Sequence, residues 1–409
     1  WLYKGTLLIK HCTDWKQLSE TAMHRILART AWLCPLTVTA GATAAGLWST
    51  TPPSSSDSDS DTSLSGVAGA VIETPLVYLS SLSRETGCDI YAKCEFMNPT
   101  GSVKDRAAFN LIREAERSGK LEEGGIIVEG TGGNTGISLA QLGRAKGYKV
   151  VLCMPESIAK EKIDHMKRLG AEVHCQPAVP FSSPLHYAQL AATIARERGG
   201  FHTNQFENLA NFRAHYGSTG PEIWRQTGRR VDVFVTSAGT GGTLAGVSAY
   251  LKKVHPGVTC LLVDPHSSSL FNFVKSNGRS SEASAGGTVM EGIGINRITT
   301  NFSEAKVDDS IKVCDQEAVE MAYYLLRNEG LFVGPSAALN VVGAVKAALR
   351  LTQQQQEQHL ARRPVIVTIL CDGGDRYQSK MYSDEWLRDR RLVPSSSGRS
   401  IAFMTAEDS

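Results

Sequence analysis

The sequence predicts an α/β fold in which parallel strands alternate with helices. Short apolar runs such as 149–154 (KVVLCM) and 365–370 (VIVTIL) have the composition of buried parallel strands. Amphipathic stretches lie between such runs, for example 157–169, which Gly170 is expected to end. The body from 68 to 392 is longer than one sheet usually needs, which predicts two lobes with a cleft between them.

Composition narrows the class of protein. The 409-residue chain has 21% charged residues and a formal net charge of +2, which is ordinary for a soluble globular protein. It lacks the basic excess of a nucleic-acid binder, so we expect no nucleic-acid partner. Its nine cysteines are odd in number and form no C-x-x-C pair. This argues against a disulfide scaffold and a structural zinc site, and we expect no metal.

The first part of the chain, residues 1–67, is expected to be a targeting or anchor segment followed by a disordered linker. No acidic residue occurs from 21 to 56, where Arg25 and Arg29 are present, which is typical of a transit peptide. Within it, 31–48 is uncharged and mostly apolar, at the short limit for a membrane span. A cleaved mitochondrial presequence and a single anchor in the mitochondrial outer membrane both stay open.

Two glycine-rich loops each follow a strand pattern and precede a helix pattern, at 129–136 (EGTGGNTG) and 239–243 (GTGGT). Glycines let backbone amides approach an anion at a helix N-terminus, although a tight turn without a ligand explains either loop alone. Neither loop is a Walker A motif or a G-x-G-x-x-G motif, which disfavours a nucleotide-dependent dehydrogenase. The loop 239–243 suits a phosphate, whereas 131–135 suits a carboxylate and a ring hydroxyl.

Lys104 follows the turn 98–102 and begins a helix pattern. A single lysine is usually a solvated surface residue. A helix N-terminus, however, disfavours a cation, and this favours the free, nucleophilic amine. A nucleophilic lysine and a phosphate cradle are what pyridoxal phosphate chemistry needs, so the sequence predicts pyridoxal 5′-phosphate as cofactor.

Seven motifs occur in order: TPL at 74–76, NPTGSVKDR at 98–106, EGTGGNTG at 129–136, NQFEN at 204–208, GTGGT at 239–243, EGIG at 291–294 and GPSAALN at 334–340. Together they resemble the cysteine synthase (O-acetylserine sulfhydrylase) and cystathionine β-synthase family over residues 68–380. The likeness is greatest to its fungal mitochondrial cysteine synthase-like branch. The resemblance implies a fold type II pyridoxal phosphate enzyme, similar to the tryptophan synthase β-subunit, and a homodimer.

That fold consists of two three-layer α/β/α lobes with the cofactor in the cleft. By resemblance, 68–108 and 206–392 form the larger, cofactor-binding lobe. Residues 109–205 form a smaller, mobile, substrate-binding lobe, and 393–409 are a flexible tail.

The resemblance also implies the roles of individual residues. Lys104 would bind the cofactor as an imine and later move the substrate α-proton. Asn134 would contact the ring O3′, and Ser336 the pyridine nitrogen. The phosphate would be bound by Gly239, Thr240, Gly241, Gly242 and Thr243. The substrate carboxylate would be bound by Thr131, Gly132, Asn134, Thr135 and Gln205, with Gly292 near the substrate–cofactor adduct.

The implied activity is a transferase reaction that makes cysteine from O-acetylserine and sulfide by β-replacement, through an α-aminoacrylate. Two departures from the family pattern leave the amino-acid donor open: Gly132 stands where serine is usual, and Ala337–Ala338 stands where Ser-Gly is common. O-phosphoserine and serine are therefore alternative donors. A cystathionine β-synthase-like enzyme, a serine/threonine dehydratase and a membrane-tethered, non-catalytic homologue are the alternative functions.

Overall fold

The computed structural model describes residues 66–404 except 72, 159, 178, 180–182, 184, 284–286, 359–361, 396, 397 and 399. The segment 1–65, with the predicted presequence or anchor at 31–48, lies outside the described residues. Among the helices of the described part, none is both long and apolar enough to cross a membrane.

Within the described residues, ten strands form two sheets and confirm the predicted α/β class. The strands are β1 (Leu76–Tyr78), β2 (Asp89–Cys94), β3 (Ile126–Gly130), β4 (Lys149–Pro155), β5 (Glu172–Gln176), β6 (Phe201–His202), β7 (Val233–Ser237), β8 (Thr259–Pro265), β9 (Asp309–Val313) and β10 (Val365–Leu370). The larger sheet has the order β1-β2-β10-β7-β8-β9 and the smaller one β5-β4-β3-β6. Every pairing is parallel except that of β1 with β2.

The helices lie mostly between the strands, as parallel pairing requires. They are α1 (Ser80–Thr86), α2 (Lys104–Arg117), α3 (Asn134–Ala145), α4 (Lys160–Arg168), α5 (Tyr187–Glu197), α6 (Ala210–Ala214), α7 (Gly220–Gln226), α8 (Gly242–Val254), α9 (Leu270–Lys275), α10 (Thr300–Ser303), α11 (Asp315–Asn328), α12 (Pro335–Gln358) and α13 (Asp384–Arg390). A π-helical turn, His215–Thr219, joins α6 to α7. Helix α4 begins later than the predicted 157, because the chain first turns, with the amide of Ile158 bonded to the carbonyl of Pro155.

Each sheet has its own apolar core. The larger core includes Val263 of β8 and Ile366 of β10 under helix α12, whose Gly343 packs directly against Val263. A Cβ atom at Gly343 would overlap the Val263 side chain, so glycine lets the helix approach the sheet. The smaller core includes Ile127 of β3 and Leu139 of α3. Further apolar clusters cover the other face of each sheet, around Phe234 of β7 and Val128 of β3, so both sheets are packed on two sides.

The lobe boundaries taken from the family resemblance stay predictions, and so does the flexible tail at 393–409. Described residues beyond 392 nevertheless contact helix α11. The backbone and hydroxyl of Ser395 both donate to Glu320, and Asn328 donates to the carbonyl of Gly398. Met404 is buried in the larger core.

Candidate active site

A cleft of about 480 Å³ lies at the carboxyl ends of strands from both sheets, the usual position of ligand sites in parallel α/β folds. Strands β3 and β4 reach it from the smaller sheet, and from the larger one β7 and Cys371, the residue just after β10. Every predicted site residue except Gly242 lines this cleft: Lys104, Thr131, Gly132, Asn134, Thr135, Gln205, Gly239, Thr240, Gly241, Thr243, Gly292 and Ser336. The structure therefore brings the predicted residues together, while their individual roles stay predictions.

The loop 239–243 has the shape of an anion cradle. Gly241 is the N-cap of the 13-residue helix α8 and has no side chain to cap the amides of its first turn; of these, the Gly242 amide makes a long bond of 3.5 Å to the Thr240 hydroxyl. Its φ of +87° favours glycine, and a Cβ atom there would lie 2.6 Å from the backbone of Phe302. At Gly242, a Cβ atom would overlap the side chain of Asn211. Only backbone fits here, which suits the phosphate of the predicted cofactor.

Lys104, the first residue of α2, supplies an amine to the same cleft. Within the described part of the chain its Nζ atom has no hydrogen-bond or ion-pair partner. The fully buried lysines differ: Lys93 pairs with Glu222 at 2.7 Å, and Lys346 with Glu317 at 2.8 Å. Unlike those structural amines, the amine of Lys104 is available to an electrophile such as the cofactor aldehyde.

The loop 131–135 connects β3 to α3 and faces the segment that follows β6. The hydroxyl of Thr135 donates to Oε1 of Gln205 at 2.6 Å, which joins two residues predicted to bind the carboxylate. A Cβ atom at Gly132 would overlap Cγ1 and Cδ1 of Ile158, a cleft residue that the sequence did not single out. The apolar side chain of Ile158 therefore fills the space that a serine at 132 would need.

Asn134 is held on both sides of its amide. Its Nδ2 atom donates to Asp372 at 2.7 Å, and Nη1 of Arg376 donates to its Oδ1 at 2.5 Å. The Tyr377 hydroxyl also donates to Asp372, at 2.6 Å. One Nδ2 hydrogen of Asn134 stays available to a cofactor oxygen. Asp372 is fully buried, and burial raises the pKa of its carboxyl above the usual value.

Two buried polar residues behind the loop 239–243 were not predicted. The amide of Asn211 donates to the carbonyl of Gln205 at 3.1 Å and to the Thr240 hydroxyl at 3.0 Å, so it links the segment after β6 to the loop 239–243. His215 lies 3.2 Å from the Thr243 hydroxyl. Burial, together with the positive charges of Arg106 and Lys104, holds the pKa of His215 well below its usual range, so the ring is neutral.

Sequence alone offered little sign of either residue, because both lie in the helical stretch 206–226, which carries no glycine loop. Only the structure marks His215, which begins the π-helical turn before α7; such turns often occur at functional sites.

An acidic residue at the cleft rim connects the two sheets. Glu291 pairs with Lys162 of α4 and with Lys380. Burial opposes ionisation of Glu291, but the two lysines outweigh it and lower its pKa. The Nζ atom of Lys162 also lies 4.6 Å from the centre of the Tyr377 ring. These contacts hold α4, beside the loop 131–135, against the segment after β10.

The second family departure, Ala337–Ala338, lies away from the cleft. Ser336, near the N-terminus of α12, lines it, whereas Ala337 and Ala338 are fully buried in the larger core. Their small side chains therefore affect packing beneath the site and leave its lining unchanged.

Comparison with known proteins agrees with this geometry. The family model described as "Pyridoxal-phosphate dependent enzyme" matches residues 67–372. "Cysteine synthase 1" of Neurospora crassa is 47% identical over 332 residues, which cover 80% of this chain and 86% of the relative. A Saccharomyces cerevisiae protein named "Putative mitochondrial cysteine synthase" is 39% identical, over 78% of this chain and 84% of its own.

A solved structure of O-ureido-L-serine synthase has a similar fold. It superposes with a TM-score of 0.69 at 29% sequence identity and covers 79% of this chain and 99% of its own.

Proposed function

Because the chain belongs to the pyridoxal-phosphate dependent enzyme family, as its similarity to cysteine synthases also shows, we propose that it makes cysteine from O-acetylserine and sulfide by β-replacement. The observation that best supports this proposal is that one cleft is lined by Lys104, by the anion cradle 239–243 and by the loop 131–135. An amine, a phosphate site and a carboxylate site are what a pyridoxal phosphate enzyme acting on an amino acid requires.

When bound, pyridoxal phosphate supplies an electron sink that makes the α-proton of an amino acid acidic. In this chain, Lys104 would hold the cofactor and, once displaced by the substrate, would take the α-proton on its Nζ atom. The amides of 239–243 would bind the phosphate, Asn134 the ring oxygen and Ser336 the pyridine nitrogen.

The remaining residues bind and orient the amino acid. Thr131, Gly132, Asn134, Thr135 and Gln205 would bind its carboxylate, with Gly292 beside the reacting carbons. The pairing of Lys162 with Glu291 would keep water out while the leaving group departs and sulfide adds.

The test is the visible absorption spectrum of the purified full-length protein before and after O-acetylserine, with Lys104→Ala beside it. We expect a cofactor band that changes with O-acetylserine in the wild type and is lost in the variant. The control, Lys120→Ala, removes an exposed lysine beyond the end of α2 and should leave the spectrum unchanged. A folded wild-type protein without a cofactor band would contradict the proposal.

The donor is tested separately by turnover of O-acetylserine, O-phosphoserine and serine with sulfide, and of serine with homocysteine. We expect O-acetylserine with sulfide to give the highest kcat/KM. A preference for serine with homocysteine would instead support the cystathionine β-synthase-like alternative.

We propose that the protein is mitochondrial. The absence of aspartate and glutamate from 21–56 and the similarity to the Saccharomyces cerevisiae relative support a mitochondrial location. A fluorescent protein fused to the C-terminus should colocalise with mitochondria, and carbonate extraction would separate a matrix protein from one anchored in the outer membrane. Diffuse fluorescence would contradict the proposal.

We also propose that the protein is a homodimer, which the family resemblance implies. Its solution mass by light scattering should be twice that of the chain, and a monomer would contradict this.

A further inference from the structure

We propose that Glu129 is a positioning residue that holds the side-chain amide of Gln205 in one orientation for the substrate carboxylate. This inference rests on the proposed function, because it takes Gln205 to be part of the carboxylate site. Glu129 belongs to β3, just before the loop 131–135, and is 2% exposed.

Hydrogen bonds from the segment after β6 hold the carboxylate of Glu129. The backbone N–H of Gln205 donates to its Oε2 at 3.2 Å, and Nε2 of Gln205 donates to its Oε1 at 3.4 Å. The hydroxyl of Thr203 also donates to Oε2. Both carboxylate oxygens of Glu129 are therefore bonded to the single residue that Glu129 would position.

A structural ion pair does not account for this buried acid, since none of the described lysines, arginines or histidines pairs with it. The titratable side chains near it are Cys153 of β4 and Tyr187 of α5. A second cavity of about 530 Å³ beside it is also lined by His186, His202, Glu207 and Arg297. Burial, opposed by its hydrogen bonds, raises the pKa of Glu129 to about 7.

The hydrogen-bonding chemistry of a carboxylate explains the effect on Gln205. An ionised carboxylate only accepts hydrogen bonds, so the Nε2 side of the amide must face Glu129. The Oε1 side then faces Thr135, whose hydroxyl donates to it at 2.6 Å. The second Nε2 hydrogen stays available to an anionic acceptor in the cleft, such as the carboxylate of an amino acid.

A neutral residue at 129 would remove this bias. Glutamine, or glutamic acid once protonated, can both donate and accept, so either orientation of the Gln205 amide becomes possible. The flipped amide would turn its Nε2 group toward Thr135 and weaken the carboxylate site, leaving the cofactor site intact.

The experiment compares Glu129→Gln with wild type, in the holoenzyme, from pH 5.5 to 8. We expect an unchanged cofactor spectrum, a KM for O-acetylserine raised about tenfold and kcat within about twofold, the size of one hydrogen bond to a charged group. The wild-type KM should rise as the pH falls through about 7, where Glu129 gains its proton, and this rise should be absent in Glu129→Gln.

Two further variants sharpen the comparison. The control Glu156→Gln makes the same change at an exposed residue just after β4 and should behave as wild type. Glu129→Asp keeps an acceptor-only group, so its KM should be closer to wild type than that of Glu129→Gln.

A KM for Glu129→Gln equal to that of wild type would overturn the inference. If that variant does not fold, the wild-type profile decides, because a KM that stays constant from pH 6 to 8 would overturn it too. Absence of a cofactor band or of turnover in the wild type would instead contradict the proposed function.

Discussion

The carbonyl oxygen of Gly292 occupies the space into which a Cβ atom on Gly239 would project. Gly239 begins the loop 239–243 after β7, and Gly292 lies in a separate loop with a φ of +78°. The two loops can approach this closely because residue 239 has no side chain. Their contact therefore sets the shape of the anion cradle, a feature that no spacing in the sequence reveals.

Gly239→Ala should weaken cofactor binding. The added methyl group has to push the Gly292 loop away, and such overpacking costs about 1–3 kcal/mol, which corresponds to about a 5- to 150-fold higher dissociation constant of pyridoxal phosphate. Fluorescence titration of the apoenzyme with the cofactor measures it. Gly217→Ala, at a glycine with open space around it, is the control, and equal affinity in both variants would contradict the prediction.

Gly132→Ser should impair the enzyme by itself and be rescued by a second change. Serine at 132 would collide with Ile158, so we expect a higher KM for O-acetylserine in the single variant. Gly132→Ser/Ile158→Ala removes the colliding atoms and should return the KM toward wild type. Steady-state kinetics of the two single variants and the double variant give the coupling energy, and additive effects would show that the residues act independently.

Lys162→Ala should loosen helix α4. The side chain of Lys162 is 4% exposed, and its loss leaves Glu291 with Lys380 alone. We expect the free energy of local opening of α4 to fall by about 1–2 kcal/mol, which speeds hydrogen exchange in this helix. The KM for the amino acid should rise as well. The control is Lys160→Ala, which removes the exposed ion pair between Lys160 and Asp164 of the same helix. Hydrogen exchange in α4 should be unchanged in Lys160→Ala and faster in Lys162→Ala.

Glu95→Gln should destabilise the fold. Glu95 is fully buried and binds Arg106 at 2.7 Å, and Arg106 also pairs with Glu222. Breaking a buried pair leaves an uncompensated charge, which costs about 3 kcal/mol of unfolding free energy. Urea denaturation measures the free energy of unfolding. The control is Glu73→Gln, because Glu73 is exposed and pairs with Arg225 at the surface; its loss should be below about 1 kcal/mol.

The same cluster predicts sensitivity to acid. Burial opposes ionisation of Glu95, but Arg106 outweighs it and lowers the pKa of Glu95. A lowered pKa stabilises the folded state above the unfolded value of about 4.3, and this stability is lost as the pH falls through the folded pKa. The wild type should therefore lose more stability than Glu95→Gln below about pH 4.3. Parallel losses in the two proteins would show that other groups control acid unfolding.

The strands and the cleft loops were predictable because their signals are local. The apolar run 365–370 forms β10 as predicted, and the loops 131–135 and 239–243 both face the cleft. A buried strand has to be apolar along its whole length, and a backbone anion cradle has to be rich in glycine, so both leave a pattern within a few residues.

The supporting residues were not predictable, because each acts on a partner far along the chain. Glu129 reaches Gln205, and Asp372 reaches Asn134 across 238 positions. A buried glutamate or aspartate has no local pattern of its own. Its partner is decided by how the strand ends meet.

By itself, the sequence determined the α/β class and placed two glycine loops and Lys104 between its predicted strands and helices; that Lys104 is the centre of the chemistry is its prediction. Only the tertiary structure decided that Ile158 covers Gly132 and that Glu291 joins the two sides of the cleft. The physical reason is the separation of the interacting residues along the chain. Backbone conformation and burial patterns depend on neighbours in sequence. Side-chain contacts depend on how helices and strands that are distant in sequence pack together.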